Sequence, residues 1–595
     1  MHRLRSRPHL AIPCLLAAAL TLGALPAEAQ VPVASTDLRL ASDGTGAGSL
    51  AVRVKYPSAV ADYRYPDGAP VAVYLPGGFG GGDLDAGARL AQAGFVAVTF
   101  LYPGGRDGTI VSDGAYDYRG DNCQRAVRDV LRFAEGAATD TLGRTIDDVV
   151  PGAVLTSIVG LAPYSNGLIG LVTLDRYGAD IPRAPYQCGW ENPTSGQIIA
   201  GDLGSRGKDC DAAVDGDGNG VPGDDGNNPW YDPASGYGPS TCSVDFSLLE
   251  YDATVPAHAY ADPIFRCTPV SRGGAVFHDG RANGRLDFNP ANLTCLDYDG
   301  DGVIEQSEDF QLGGIITYTP ACLLKLFYTS EVSHALSDLG VFPSGWPAWI
   351  ATPAEADAYW PLLDVTSHWG GIAARFPSLR LMTTFTKQDH VQSQDDHPHV
   401  RQVLDGAAAQ SFWYRLNADA SYYAAENGTL PAGYVETPAN VSVPMGDMKA
   451  HAEPIGTNND AMQAAGHAEM ADRTYRGCWW PDLNGTIRPA TVPEAEVATV
   501  TFGADRATLV WSAAGGALCY DILRASSLGA EGGQVRLSGG TCVEEDSPDS
   551  AVFDAEVPAP GGVFYYVVKP NGIHGRYGAD SGGRPRLDAD RACEE

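Results

Sequence analysis

Basic side chains are scarce in this chain. Its 595 residues carry 40 Lys and Arg against 73 Asp and Glu, a formal net charge of −33. Such acidity excludes nucleic acid and anionic membrane surfaces as natural partners, because both repel a strongly negative protein. Long apolar runs are also missing from the interior of the sequence, and none reaches the roughly 20 residues that span a bilayer. No His-Glu-x-x-His occurs, so a zincin site is unsupported. No Lys-Ser/Thr follows the glycine run Gly77–Gly82, which therefore does not read as a phosphate-binding loop. Acidic residues are everywhere, yet no spacing singles out a pair for glycoside hydrolysis.

The one apolar run of note is N-terminal. Arg3, Arg5 and Arg7 precede a segment from Leu10 to Leu25 that ends in Ala27-Glu28-Ala29. A charged head, a short apolar stretch and a small-x-small end form the pattern of a secretory signal peptide over 1–29. A secreted location, extracellular or periplasmic, is expected. Of the 12 cysteines, all but Cys14 lie beyond that segment. In an exported protein they are expected mostly to pair, with one left over.

Texture divides the rest. From Val71 to about residue 187, strand-like and helix-like segments alternate. Val71–Leu75, Phe95–Leu101 and Ser157–Ala162 are continuously apolar, as strands buried on both faces are. Helical spacing fits Ala86–Ala93, Asn122–Glu135 and Gly167–Asp175. The pattern predicts an α/β fold with a mostly parallel sheet. Residues 187–345 are rich in Gly, Asp, Pro and Cys and read as a loop-dominated insertion. In it Cys188, Cys210, Cys242, Cys267, Cys295 and Cys322 are disulfide candidates of undetermined pairing. Regular structure resumes at Leu379–Phe385 and Phe412–Leu416, and a last helix fits Ala461–Tyr475. Over 495–595, short alternating strands separated by turn residues predict a small all-β sandwich. Trp511, Tyr520 and Pro558-x-Pro560-Gly561 before an aromatic strand make it similar to a fibronectin type III domain.

The segment with most chemistry in it is Pro163-Tyr164-Ser165-Asn166-Gly167, set between the apolar strand and a helix. A strand, a tight turn holding a serine and a helix form the layout of a nucleophile elbow, which lifts the hydroxyl above the sheet. The simpler alternative is a serine that caps the following helix. With the Pro76-Gly77-Gly78-Phe79-Gly80 turn and an acid after a late strand, residues 30–490 resemble the α/β-hydrolase family. The departure is Pro163, which stands where the G-x-S-x-G pattern has its first glycine. The resemblance implies a serine hydrolase with Ser165 as nucleophile and the backbone N–H groups of Gly78 and Asn166 as oxyanion donors. It implies Asp389 as the acid, with Asp395 and Asp396 as competitors. The base is expected to be His451, with His467 second.

The insertion holds a further motif. Asp297, Asp299, Asp301, the Val303 carbonyl and Glu308 occupy ligand positions of an EF-hand loop, with Gly302 at its turn. A shorter relative of it begins at Asp215 and uses Asp217, Asn219 and Val221, and residues 279–287 hold a degenerate third. Calcium is the expected cofactor, and a structural one, because a Gly/Asp-rich insertion buries little apolar surface to offset its chain entropy. The expected substrate is a small-molecule or polymeric ester, with the C-terminal domain available to touch a surface or polymer. A peptidase of the same fold is the nearest alternative. A calcium-dependent adhesion protein on an inactive hydrolase scaffold is the more distant one.

Overall fold

The computed structural model describes residues 31–77, 80–192, 350–385, 398–435, 459–479, 499–513, 519–531, 534–547 and 549–571. Short stretches between 249 and 348, within 437–451, at 497 and at 587–588 are described as well. Gly78, Asp389, Asp395, Asp396, the N-terminal segment and both calcium-type loops, Asp215–Asp225 and Asp297–Glu308, lie outside these residues.

Eight strands form one sheet. In chain order they are β1 (Val33–Ala41), β2 (Ser49–Pro57), β3 (Ala69–Leu75), β4 (Val96–Phe100), β5 (Val154–Pro163), β6 (Tyr186–Trp190), β7 (Arg380–Thr384) and β8 (Trp413–Leu416). Their spatial order is β1-β2-β4-β3-β5-β6-β7-β8. β2 runs antiparallel to both β1 and β4, and every other neighbouring pair is parallel. This large, mostly parallel sheet with helices on both faces fits an α/β-hydrolase-like fold. The parallel strands are apolar on both faces because both are covered. Val71, Val73 and Leu75 of β3 point into one cluster and Ala72 into the other.

Helices α1 (Ala88–Gln92), α2 (Asp121–Ala134), α3 (Ile169–Tyr177), α4 (Trp369–Arg375), α5 (Pro398–Ala409), α6 (Ala420–Asn427) and α7 (Asn459–Arg476) cover the sheet. Residues of α2, α3, α4 and α5 share one core cluster, and those of α1, α6 and α7 share the other. Helix α7 is fastened by buried ion pairs. Asp472 takes both the Nε and Nη2 of Arg64 at 2.7 Å and the hydroxyl of Tyr65 at 2.7 Å. Glu469 takes Arg415 of β8 at 2.8 Å, Arg473 at 2.9 Å and the backbone N–H of Asp419 at 2.7 Å. Buried carboxylates are tolerated when cations and hydrogen-bond donors face them, as they do here.

The structure corrects the expected insertion and cysteine pattern. Residue 187 is not the start of an insertion, for Tyr186–Trp190 is strand β6, wholly buried between β5 and β7. Gln187 and Gly189 disguised it, since neither is a strand former. Cys188 points into the helix–sheet core and is free, as is Cys123 of α2, so at least two thiols remain unpaired. Strands β1 and β2 lay outside the sequence reading, although Leu38 and Leu40 flank Arg39 and Leu50, Val52, Val54 and Tyr56 alternate with Arg53 and Lys55, the apolar set entering one core cluster.

Beyond α7 the chain makes two small sheets. Strands β9 (Val500–Phe502), β10 (Thr508–Trp511) and β13 (Ala551–Phe553) form one. Strands β11 (Tyr520–Glu531), β12 (Gln534–Ser547) and β14 (Tyr565–Pro570), with Leu587–Asp588, form the other. Leu509, Trp511 and Val552 of the first share a cluster with Tyr520, Ile522 and Val568 of the second. A disulfide, Cys478–Cys519, ties the end of α7 to the start of β11, and Cys542 is also disulfide-bonded.

Candidate active site

Ser165 sits where β5 ends. Its φ is +45°, a left-handed conformation that a non-glycine residue adopts only when the surroundings impose it. A 3₁₀ turn, Ser165–Leu168, follows at once and leads into α3. The side chain is 2% exposed. The elbow is gripped from three sides. Tyr164 N–H donates to the Leu75 carbonyl at 2.9 Å, the Gly167 N–H donates back to Tyr164 at 2.8 Å, and the Asn192 side-chain amide donates to the Ser165 carbonyl. A serine held in this conformation between a strand end and a helix has the backbone geometry of a nucleophile elbow.

Pro163 fits this elbow. It is the last residue of β5, paired with Leu75, and the bond to β3 at this point is donated by the N–H of Tyr164, so the missing N–H of Pro163 costs no bond to β3. The tight approach that the family pattern asks of small residues falls on Gly167. A Cβ there would lie 2.6 Å from the Leu75 carbonyl oxygen and 3.0 Å from Pro163 Cβ.

The glycine turn after β3 faces the same serine. A Cβ on Gly77 would lie 2.9 Å from Ser165 Cβ and 2.4 Å from the Tyr164 ring. The turn is pinned from behind by Arg119, whose side chain is fully buried. Its Nη2 donates to the Pro76 and Gly77 carbonyls at 2.9 and 3.0 Å, and its Nη1 donates to the Gly80 carbonyl at 3.0 Å. The guanidinium lies 4.0 Å from the centre of the Tyr102 ring, a cation–π contact that helps hold it where water is absent. On the other side the N–H of Asn166 opens the 3₁₀ turn, where first-turn N–H groups have no intrahelical partner.

Of the two candidate bases, the structure separates the pair clearly. His467 lies within α7, fully buried, its Nδ1 3.4 Å from the Tyr186 hydroxyl and its ring edge-on to Phe95. Burial pushes it down to about 3 against a weaker opposing contact with the Cys188 backbone, so it stays neutral and packed. It is a core histidine. His451 lies at the carboxyl end of the sheet. Asn417, directly after β8 with φ +59°, donates from Nδ2 to the His451 carbonyl at 3.3 Å. The same Asn417 receives the Phe385 N–H at 3.2 Å and donates its own N–H to Thr383 at 2.9 Å. One side chain therefore ties His451 to the end of β7, the point from which the segment holding Asp389 departs. The His451 Nδ1 is 3.3 Å from the Val435 carbonyl.

Sequence reasoning missed several polar residues at this edge. Glu191 and Asn192 follow β6 and are almost wholly buried; Glu191 has φ +46° and donates its N–H to Thr384. Arg119 and Asn417 were equally unforeseen. Each acts on a residue distant in sequence, and only an isolated Arg amid Tyr116, Tyr118 and Gly120 hinted at a role. Another histidine–carboxylate pair, His368 with Asp175 at 2.6 Å, lies toward the far end of α3, and its Nε2 is engaged by the Pro361 carbonyl. Among the described residues no group of three or more His, Cys, Asp and Glu side chains is arranged to hold a metal, and no helix is long and apolar enough to cross a membrane.

No protein-family model and no curated protein matches the chain. Among solved structures it is similar over part of its length to vibralactone cyclase, at 17% identity with a TM-score of 0.19, covering 28% of this chain and 44% of that one. It is similar also to brefeldin A esterase, described as a bacterial homologue of human hormone sensitive lipase, at 18% identity and 0.19, covering 28% and 42%. A bacterial heroin esterase matches at 17% identity and 0.18, covering 28% and 46%. The chain spans less than half the length of each. At such scores the likeness adds nothing to what the strand order and the elbow already define.

Proposed function

We propose that the protein is a secreted serine hydrolase that cleaves an ester through an acyl-enzyme at Ser165. One observation carries this reading: a buried serine held at φ +45° between the end of a central parallel strand and a helix, with a glycine turn against its Cβ. In the proposed reaction His451 takes the Ser165 proton as Oγ attacks the ester carbonyl. The N–H groups of Asn166 and Gly78 hold the oxyanion. Collapse expels the alcohol, which receives the proton from His451, and water activated by the same imidazole then releases the acid. Asp389 orients the imidazole. Glu191, buried at the end of the neighbouring strand, is a second carboxylate of the same edge, and its position favours a comparison of Asp389→Asn with Glu191→Gln.

Calcium in the loops at Asp297–Glu308 and Asp215–Val221 belongs to the same proposal, as a structural ligand. So does a fibronectin type III-like role for residues 495–595 as an accessory module that touches a surface or polymer. Hydrolysis of short- and long-chain acyl esters beside aminoacyl amides, by wild type and Ser165→Ala, tests the reading. Turnover of an ester by wild type alone supports it; turnover of amides only moves the protein to the peptidases, and no turnover of either opposes it. Melting should rise with added calcium and fall with chelator, and Glu308→Gln should blunt the response.

A further inference from the structure

A cavity of about 480 Å³ opens beside the elbow, with Tyr164, the residue before the proposed nucleophile, as part of its wall. Its size falls within the roughly 300–1,000 Å³ of small-molecule sites. Tyr74 and Tyr164 supply aromatic surface. Asp83 and Asp460 stand exposed at its margin, Asp85 lies among its lining residues, and Gln463 of α7 closes it from within. Gln463 is 6% exposed, and its Nε2 is buried with no hydrogen-bond partner. Leaving such a donor unpaired costs stability, and buried amide groups in folded proteins are nearly always bonded. An unpaired donor in the wall of a cavity marks the place of a ligand acceptor.

The charges narrow the class of ligand. Among the described residues, the cationic groups nearby are already engaged. Arg89 pairs with Glu426 at 3.6 Å, and Arg53 pairs with Asp85 at 2.6 Å. Lys55 donates to the carbonyls of Leu84 and Ala86 and so fixes the cavity wall. A carboxylate or phosphate would meet acidic side chains, with no free cation among the described residues of the wall to offset them. An ammonium group would suit the carboxylates but has no lone pair for Gln463 Nε2. A purely apolar group would leave that donor unsatisfied. A neutral polyol meets every condition, since each hydroxyl both donates and accepts: it takes the Gln463 N–H and gives O–H to Asp83 or Asp460. The tyrosine rings can cover the C–H face of a sugar.

We propose that this cavity binds the polyhydroxylated, sugar-like part of the substrate, so that the ester cleaved at Ser165 is that of a carbohydrate or similar polyol. The proposal rests on the hydrolase reading for its catalytic half and on the cavity alone for its binding half.

Calorimetric titration of the Ser165→Ala protein separates the two, because it needs no turnover. The probes are methyl β-glucopyranoside, choline and acetate, each titrated into Ser165→Ala and into Ser165→Ala with Gln463→Leu or Asp460→Asn. Binding of the glycoside, weakened about five- to tenfold by Gln463→Leu for the loss of one neutral hydrogen bond, is the expected result. The melting temperature of Gln463→Leu should not fall, which shows that the weakening is local. Binding of choline in place of the glycoside, binding of neither, or glycoside binding equal in Gln463→Leu would each overturn the proposal. Glycoside binding by a wild type that turns over no acetylated methyl glycoside would leave the cavity assignment standing and remove the hydrolase reading.

Discussion

The two ends of helix α7 treat buried polar groups in opposite ways. Toward its C-terminus, Glu469 and Asp472 are enclosed by Arg415, Arg473, Arg64 and Tyr65, and both carboxylates are fully engaged. Near its N-terminus, in the second turn, Gln463 holds a buried donor with no partner beside the cavity. The same contrast runs across the sheet, from the ion-paired carboxylates of α7 to the strained elbow at Ser165. Stability is expected where buried carboxylates are paired with cations. Reactivity is expected where pairing is left open or the backbone is forced, because a native structure tolerates such sites only when the surroundings over-determine them.

That contrast can be broken by substitution. The largest effect on folding should come from Asp472→Ala. It strands Arg64 in the core and should lower stability by about 3–5 kcal/mol, read from chemical denaturation. A loss of under 1 kcal/mol would mean that the paired end is not what fastens α7. Next comes the elbow's support. Arg119→Met should lower kcat by about 10²–10³-fold, comparable to removing an oxyanion donor, with a much smaller change in KM. Partial recovery in Arg119→Lys would mark it as a positioning residue acting through the Pro76–Gly80 carbonyls; equal losses in kcat and stability with no recovery would reduce it to a core residue.

A smaller effect concerns Glu135, buried at the end of α2, where burial, only partly opposed by Arg183, raises its carboxyl to about 7. The folded form then holds a proton that the unfolded chain releases above its ordinary value of 4.5. Its contribution is present at low pH and is lost as pH rises from about 4.5 to 7, by about 1–3 kcal/mol. Glu135→Gln should flatten that part of the stability–pH curve, and an unchanged slope would exclude the assignment. The smallest effects are gains. Gln463→Leu and Ser165→Gly should each stabilise by up to about 1 kcal/mol, the first by removing an unpaired donor and the second by relieving the left-handed backbone. A loss of similar size in either would show that the open end of the comparison is not strained.

The central strands were legible because β3, β4 and β5 are apolar on both faces and their sequence shows it. Ser165 was legible for the same reason, as a turn between two apolar runs. Strand β6 was hidden because Gln187, Cys188 and Gly189 owe their burial to β5 and β7 rather than to their own preferences. The tolerance of Pro163 depended on two distant facts, Leu75 accepting from Tyr164 and the close fit of Gly167. His451 and His467 could not be separated by order along the chain; burial on α7 distinguishes them. Arg119, Asn192 and Asn417 act on backbone carbonyls far away in sequence, and no local pattern announces such a bond.

Ser165 is proposed to be an activated nucleophile. A fluorophosphonate probe, followed by mass spectrometry of the labelled peptides, tests this directly. The expected result is one adduct on wild type, located at Ser165 and absent from Ser165→Ala. No adduct on folded wild type, or an equal one on Ser165→Ala, would contradict it.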